Sequence, residues 1–138
     1  MPGYSGTPLP KKLGIKNGLR VALLNMPADV KIELQDALKK CRVTKLTSGN
    51  LDFIFLFANT SGALERDLSG AAHALASAGM LWIAWPKKSS GVASDLDENV
   101  VRDSGLAAGL VDIKVCAVTE VWSGLKFVIP VKDRPKAK

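Results

Sequence analysis

Met80-Leu81-Trp82-Ile83-Ala84-Trp85-Pro86-Lys87-Lys88-Ser89-Ser90-Gly91 is the stretch that decides the fold. Its apolar opening reads as a strand covered on both faces, because a strand open to water on one side alternates apolar and polar residues. The strand stops at a proline and at once presents two cations, two hydroxyls and a glycine. That is the composition of a sheet rim. In open α/β sheets ligands collect there, outside the carboxyl ends of the strands.

Working outward, Arg20 to Met26 and Asp52 to Ala58 are two more nearly unbroken apolar runs, and a weaker strand lies near Arg42 to Leu46. Between them the period changes. Val30, Leu34, Ala37, Leu38 and Cys41 fall on one face of a helix, as do Leu64, Leu68, Ala71, Ala72, Leu75 and Ala76. Ser61 reads as the cap of this second helix and Gly79 as its end. A further helix starts at Ser94 or Asp95, has Asp97 and Glu98 in its first turn, and ends at Gly109. Thr7-Pro8 opens a short helix that ends at Gly14. Val111 to Thr119 and Leu125 to Val131 read as two strands joined around Trp122-Ser123-Gly124. Pro130 cannot donate to a ladder, so the last strand should run where that amide is not needed. The expected fold is α/β, a three-layer sandwich with a mostly parallel, Rossmann-like sheet and a C-terminal antiparallel hairpin that inserts one strand.

The chain has 138 residues, 47% of them apolar and 23% charged, which suits a single domain, residues 1–138, with a core of its own. Residues 1–19 read as an N-terminal extension with a short helix and 132–138 as a basic tail. The start of the chain lacks an apolar signal core, and no run reaches membrane-spanning length. The expected location is the cytoplasm. Cys41 and Cys116 each sit in an apolar pattern and read as reduced core residues. The net charge of +6 is concentrated at the ends. Lys11, Lys12, Lys16 and Arg20 lie at or ahead of the first strand, and Lys132, Arg134, Lys136 and Lys138 follow the last. Such ends bind polyanions weakly, so at most weak, non-specific nucleic-acid binding is expected, carried by the tails.

The strand order with its closing hairpin resembles the Rossmann-like methyltransferase fold, and Leu13-Gly14-Ile15-Lys16-Asn17-Gly18-Leu19-Arg20-Val21 is similar to the lead-in to the first strand of such enzymes. That resemblance implies a Gly-rich turn after the strand, where the backbone approaches S-adenosylmethionine. This chain has Asn25-Met26-Pro27-Ala28-Asp29 instead. The acid that the resemblance implies at the end of the second strand has no counterpart in Lys45-Leu46-Thr47. No cofactor is therefore expected. Over nearly its full length the chain also resembles a small bacterial family of unknown function. The segments that carry this are Gly3-Tyr4-Ser5-Gly6-Thr7-Pro8-Leu9 with Lys11-Lys12-Leu13-Gly14-Ile15, Trp82-x-x-Trp85-Pro86-Lys87-Lys88, Val111-Asp112-x-Lys114-Val115-Cys116-Ala117-Val118, and Trp122-Ser123-Gly124-Leu125.

Lys87, Lys88, Ser89 and Ser90 compose a loop able to hold a phosphate or carboxylate; the alternative is a solvated connection. Trp122, Ser123 and Asn59, with Thr60 and Ser61, should lie at the same end of the sheet, and such a rim suits a planar or anionic ligand. Alternatively Trp122 plugs the sheet end. His73 is the only histidine and faces away from the apolar stripe of its helix, so it reads as a surface residue without an orienting acid or nucleophile. No metal site is expected. Tyr4, Ser5 and Gly6 either fold over the rim or a partner, or form a lead-in. Two function classes follow. One is a non-enzymatic binding or regulatory module for a small anionic ligand. The other is an enzyme acting on an anionic small molecule at the Lys87/Trp122 rim.

Overall fold

A computed structural model describes residues 7–134. Short helix α1 (Leu9–Leu13) is followed by β1 (Arg20–Leu24), α2 (Ala28–Lys39), β2 (Arg42–Thr44), β3 (Leu51–Phe57), α3 (Ser61–Ala74), β4 (Leu75–Pro86), α4 (Glu98–Ala107), β5 (Val111–Ala117) and β6 (Trp122–Val128). The six strands form one sheet in the order β2-β1-β3-β4-β6-β5. β2, β1, β3 and β4 pair in parallel, and β6 runs antiparallel to both β4 and β5. β4 and β5 therefore point the same way, with the hairpin's return strand inserted between them. The architecture is the expected mostly parallel sandwich.

Both faces of the central strands β3 and β4 are covered, which is why their runs are so apolar. On one face α1 and α2 bury Leu9, Leu13, Val30 and Leu34 against Phe53, Phe55, Phe57 and Trp82. On the other, α3 and α4 bury Leu64, Leu68 and Val101 against Ile54, Leu56, Ile83 and Phe127. The side chains of β3 thus alternate between two cores rather than between core and water.

Several boundaries differ from the sequence reading. Pro8, not Thr7, is the N-cap of α1, and Gly14 closes that helix with φ 85° as expected. Thr60, not Ser61, caps α3, its hydroxyl accepting from the Ala63 amide at 3.1 Å. Asp97 caps α4, accepting from the Val100 amide at 2.9 Å, while Ser94 and Asp95 lie outside the helix. α3 ends at Ala74, so Leu75 and Ala76 fall in β4 and not on the helical stripe: Leu75 leaves helical geometry and pairs with Leu51 at the start of β3. The register then shifts before Met80 pairs with Phe53. Gly79 serves this re-entry: a Cβ there would sit 2.6 Å from the Leu51 carbonyl oxygen.

The hairpin turn is also displaced. Trp122, Ser123 and Gly124 belong to β6, and the turn is made by residues 118–121, where the Thr119 hydroxyl accepts from the Val121 and Trp122 amides, each at 3.1 Å. Gly124 is needed for space, since a Cβ there would meet Val118 Cγ2 at 2.9 Å and Trp82 Cε3 at 3.2 Å. Pro130 falls beyond β6 and disturbs no ladder bond. Tyr4, Ser5 and Gly6 lie outside the described residues. Among the described residues no helix is long and apolar enough to cross a membrane.

Gly79→Ala tests the junction between β3 and β4. The obstructing atom belongs to the backbone and cannot swing aside, so overpacking should destabilise the protein by about 1–3 kcal/mol. Urea unfolding of the two proteins measures this, and an unchanged midpoint would show that the junction relaxes freely.

Candidate functional site

Chain direction reverses across the sheet at β1 and β3: from β1 the chain moves out to β2, then crosses back to β3. The carboxyl ends of these two strands diverge there and leave a crevice. The crevice holds a cavity of about 400 Å³, lined by Asn25, Phe57, Ala58, Asn59, Ala63, Arg66 and Trp122. Each lining residue has a local reason to be there. Asn25 follows β1 directly and takes φ 59°, a left-handed conformation that asparagine tolerates better than most residues. Its amide donates to the Phe57 carbonyl at 3.2 Å and to Asp67 Oδ2 at 3.0 Å, tying the end of β1 to β3 and α3. Pro27 follows as the N-cap of α2 and offers no amide.

Trp122 forms the wall. Its ring stands edge-on to Phe57, with centroids 5.1 Å apart, at the top of an aromatic column that continues through Phe55 and Phe53. Asn59 is exposed at the mouth. Arg66, on the second turn of α3, is the cation of the cavity; its side chain is 67% exposed and lies 3.4 Å from Asp67.

The other residues expected at the rim are close by in the fold without lining this cavity. Trp122 pairs with Pro86, and the Lys87 amide donates to the Val121 carbonyl at 2.7 Å, so the loop after β4 adjoins the start of β6. Lys87 is half-buried, and Lys88 and Ser89 are exposed. Ser90 closes the loop on itself, its hydroxyl donating to the Lys87 carbonyl at 2.6 Å and accepting from the Val92 amide at 3.1 Å. Ser123 pairs with Trp85 on one side and Ala117 on the other. Farther along, Asp95 returns to α3 and accepts from both the Ser61 amide at 2.8 Å and the Ser61 hydroxyl at 2.7 Å. These bonds hold its carboxyl below the usual range.

Sequence reasoning missed Asn25 and Arg66 as cavity residues. Arg66 looks like an ordinary solvated helix charge until the α3 N-terminus is placed at the crevice. A larger cavity of about 690 Å³ runs along the α3–α4 seam, over Leu68, Ala72, Leu110 and Ile129, with Glu65 and His73 at its edge. His73 is exposed, as expected. Among the described residues no group of three His, Cys, Asp or Glu side chains is arranged for a metal ion.

The chain belongs to the family described as protein of unknown function (DUF3052), whose model matches residues 10–131. No curated protein matches it in sequence. Solved structures similar to it include a TehB-like SAM-dependent methyltransferase from Corynebacterium glutamicum, 10% identical, covering 92% of this chain and 90% of that one with a TM-score of 0.54. A SAM-dependent methyltransferase from Aquifex aeolicus is 16% identical over 86% of this chain and 87% of its own, TM-score 0.54. The magnesium protoporphyrin IX methyltransferase of Synechocystis, solved with bound SAM, is 12% identical over 88% and 74%, TM-score 0.54. At such identities the likeness is one of fold: a methyltransferase-like Rossmann sheet.

The Asp95–Ser61 tie has a defined pH dependence. A carboxyl whose folded value is depressed contributes stability above its unfolded value and loses it as the pH falls through the folded one. The wild type should therefore lose this contribution below about pH 4, whereas Asp95→Asn should lack it at every pH. Melting temperatures of both proteins between pH 2 and 7 decide it; curves that stay parallel through the acid range would remove the tie.

Proposed function

We infer that the chain is a binding module, not a methyl-transfer enzyme, and that it takes a small planar anion in the cavity at the carboxyl ends of β1 and β3. The observation that carries this is the lining itself. An aromatic wall at Trp122 and Phe57, one cation at Arg66 and two amide side chains at Asn25 and Asn59 surround one crevice. Apolar walls with a few convergent polar groups are what small-molecule sites are made of. Lys87 and Lys88 flank the site and supply further positive charge at its edge.

S-adenosylmethionine does not suit this crevice. Asn25 carries a side chain that already bonds across it to Phe57 and Asp67, where a glycine turn would leave the backbone open. Pro27 withholds an amide from the turn, and β2 ends at Thr44, followed by Lys45 rather than by an acid able to accept from ribose hydroxyls. The scaffold is retained while the groups that would recognise that cofactor are replaced.

A thermal-shift screen against nucleotides, acyl-CoAs and sugar phosphates tests the proposal, since a ligand that binds only the folded state raises the melting temperature by mass action. A hit should lose its shift in Arg66→Ala and Asn59→Ala. Both residues are exposed, so each change should alter the unliganded stability by no more than about half a kcal/mol. Lys87→Ala with Lys88→Ala should weaken the shift less than Arg66→Ala does. Micromolar, saturable binding of S-adenosylmethionine in calorimetry would overturn the reading, and turnover of a panel member would move it to the enzyme class.

A further inference from the structure

We propose that the sheet face carrying Lys114 and Lys126, with Lys16 in the segment beside it, is a second anion site, one that takes a ligand with two or more adjacent phosphates. The site is independent of the rim cavity. Lys126 on β6 stands directly opposite Lys114 on β5 and directly opposite Trp82 on β4. One row across the sheet thus reads Trp82, Lys126, Lys114, on the face that α1 covers only in part. Lys16, in the segment after α1, is near enough to add its field to that of the pair.

The fold gives no reason for the pairing of Lys126 with Lys114. Like charges directly opposite on neighbouring strands are destabilising. Among the described residues no carboxylate lies within 4.0 Å of any of the three ammonium groups. A lysine on an exposed edge strand deters edge-to-edge pairing, and that accounts for Lys114. It does not account for Lys126, because β6 is paired on both sides. Burial and the fields of Lys114 and Lys16 push the Lys126 ammonium below its usual value, so the charge is held there against both desolvation and repulsion. Lys12 extends the positive field past Cys116 toward the end of β5, donating to the Ala117 carbonyl at 3.0 Å. Repulsion of this kind is relieved by a multivalent anion, and adjacent phosphates match adjacent lysines. A nucleoside polyphosphate and a nucleic-acid backbone share that chemistry.

The test uses the full chain at low salt with two probes, inorganic tripolyphosphate and a mixed-sequence single-stranded oligonucleotide. At least one should raise the melting temperature of the wild type. Tripolyphosphate alone points to a free polyphosphate ligand, and the oligonucleotide to a nucleic-acid backbone. The shift should vanish in Lys114→Ala/Lys126→Met and persist when Lys132, Lys136 and Lys138 are all changed to Ala. Oligonucleotide affinity in the double variant should also lose about 1.4 units of salt slope, roughly 0.7 per phosphate contact on a single strand. Lys114→Ala alone, a change at an exposed residue, should already weaken the shift. Without ligand, Lys126→Met should melt at or above the wild-type temperature. The proposal fails if neither probe stabilises the wild type, if the double variant keeps the full shift, if the tail variant abolishes it, or if Lys126→Met melts lower.

Discussion

Trp82 sets the relation between the parts of this molecule. It is fully buried on β4, and its indole N–H donates to the Leu13 carbonyl at 2.8 Å, so the end of α1 is fastened to the middle of the sheet. Gly14 lies against the neighbouring Met80, with the sulfur 3.3 Å from where a Cβ would stand, and closes the helix at that contact. The same ring, with Val118, leaves no room for a side chain at position 124, so β6 carries a glycine where it passes Trp82. One buried aromatic residue thereby orders the N-terminal helix and the C-terminal hairpin, which are some 70 and 40 residues away in sequence. Apolar burial drives the docking, and the single indole hydrogen bond selects the orientation, because leaving that donor unpaired in the core is costly.

Much of this was legible in the residues, and the limits of legibility have physical causes. Runs such as Asp52 to Ala58 and Met80 to Trp85 announce doubly covered strands, since no other setting tolerates so little polarity. The parallel order and the inserted return strand follow from chain handedness. Ends were less readable wherever two residues offered the same service. Thr60 and Ser61 both present a hydroxyl at the start of α3; the one that caps is the one whose extended backbone precedes the first turn, and its neighbour is free to meet Asp95. Trp122-Ser123-Gly124 has the composition of a turn, yet Gly124 answers to Trp82 across the sheet, a partner that no local pattern reveals. The rim was foreseen as a place, and Asn59 and Trp122 do meet there. Arg66 was not foreseen, because a charge on the polar side of a helix looks the same whether water or a crevice lies before it.

The rim also explains how a methyltransferase-like sheet is kept without the usual turn. A glycine after the first strand serves two ends, a left-handed backbone and an open approach. Asn25 takes the left-handed backbone, and its amide bonds to Phe57 and Asp67. The crevice is walled by Trp122 from the hairpin. A ligand there would touch β1, β3, α3 and β6 together.

Charge distribution carries the last step. By sequence the cations cluster at the two ends, which reads as solubilising tails. In the fold the N-terminal group is not a tail: Lys12 lies on the end of β5 and Lys16 adds to the field over Lys126. Residues about 100 positions apart are joined into one positive surface because α1 is pinned to Trp82. The contact that orders the sandwich is therefore also the one that gathers its charge. The Lys114–Lys126 pair is a place where a local rule, the avoidance of like charges opposite one another on paired strands, is broken. Such breaks are where function is to be sought, since stability alone would remove them.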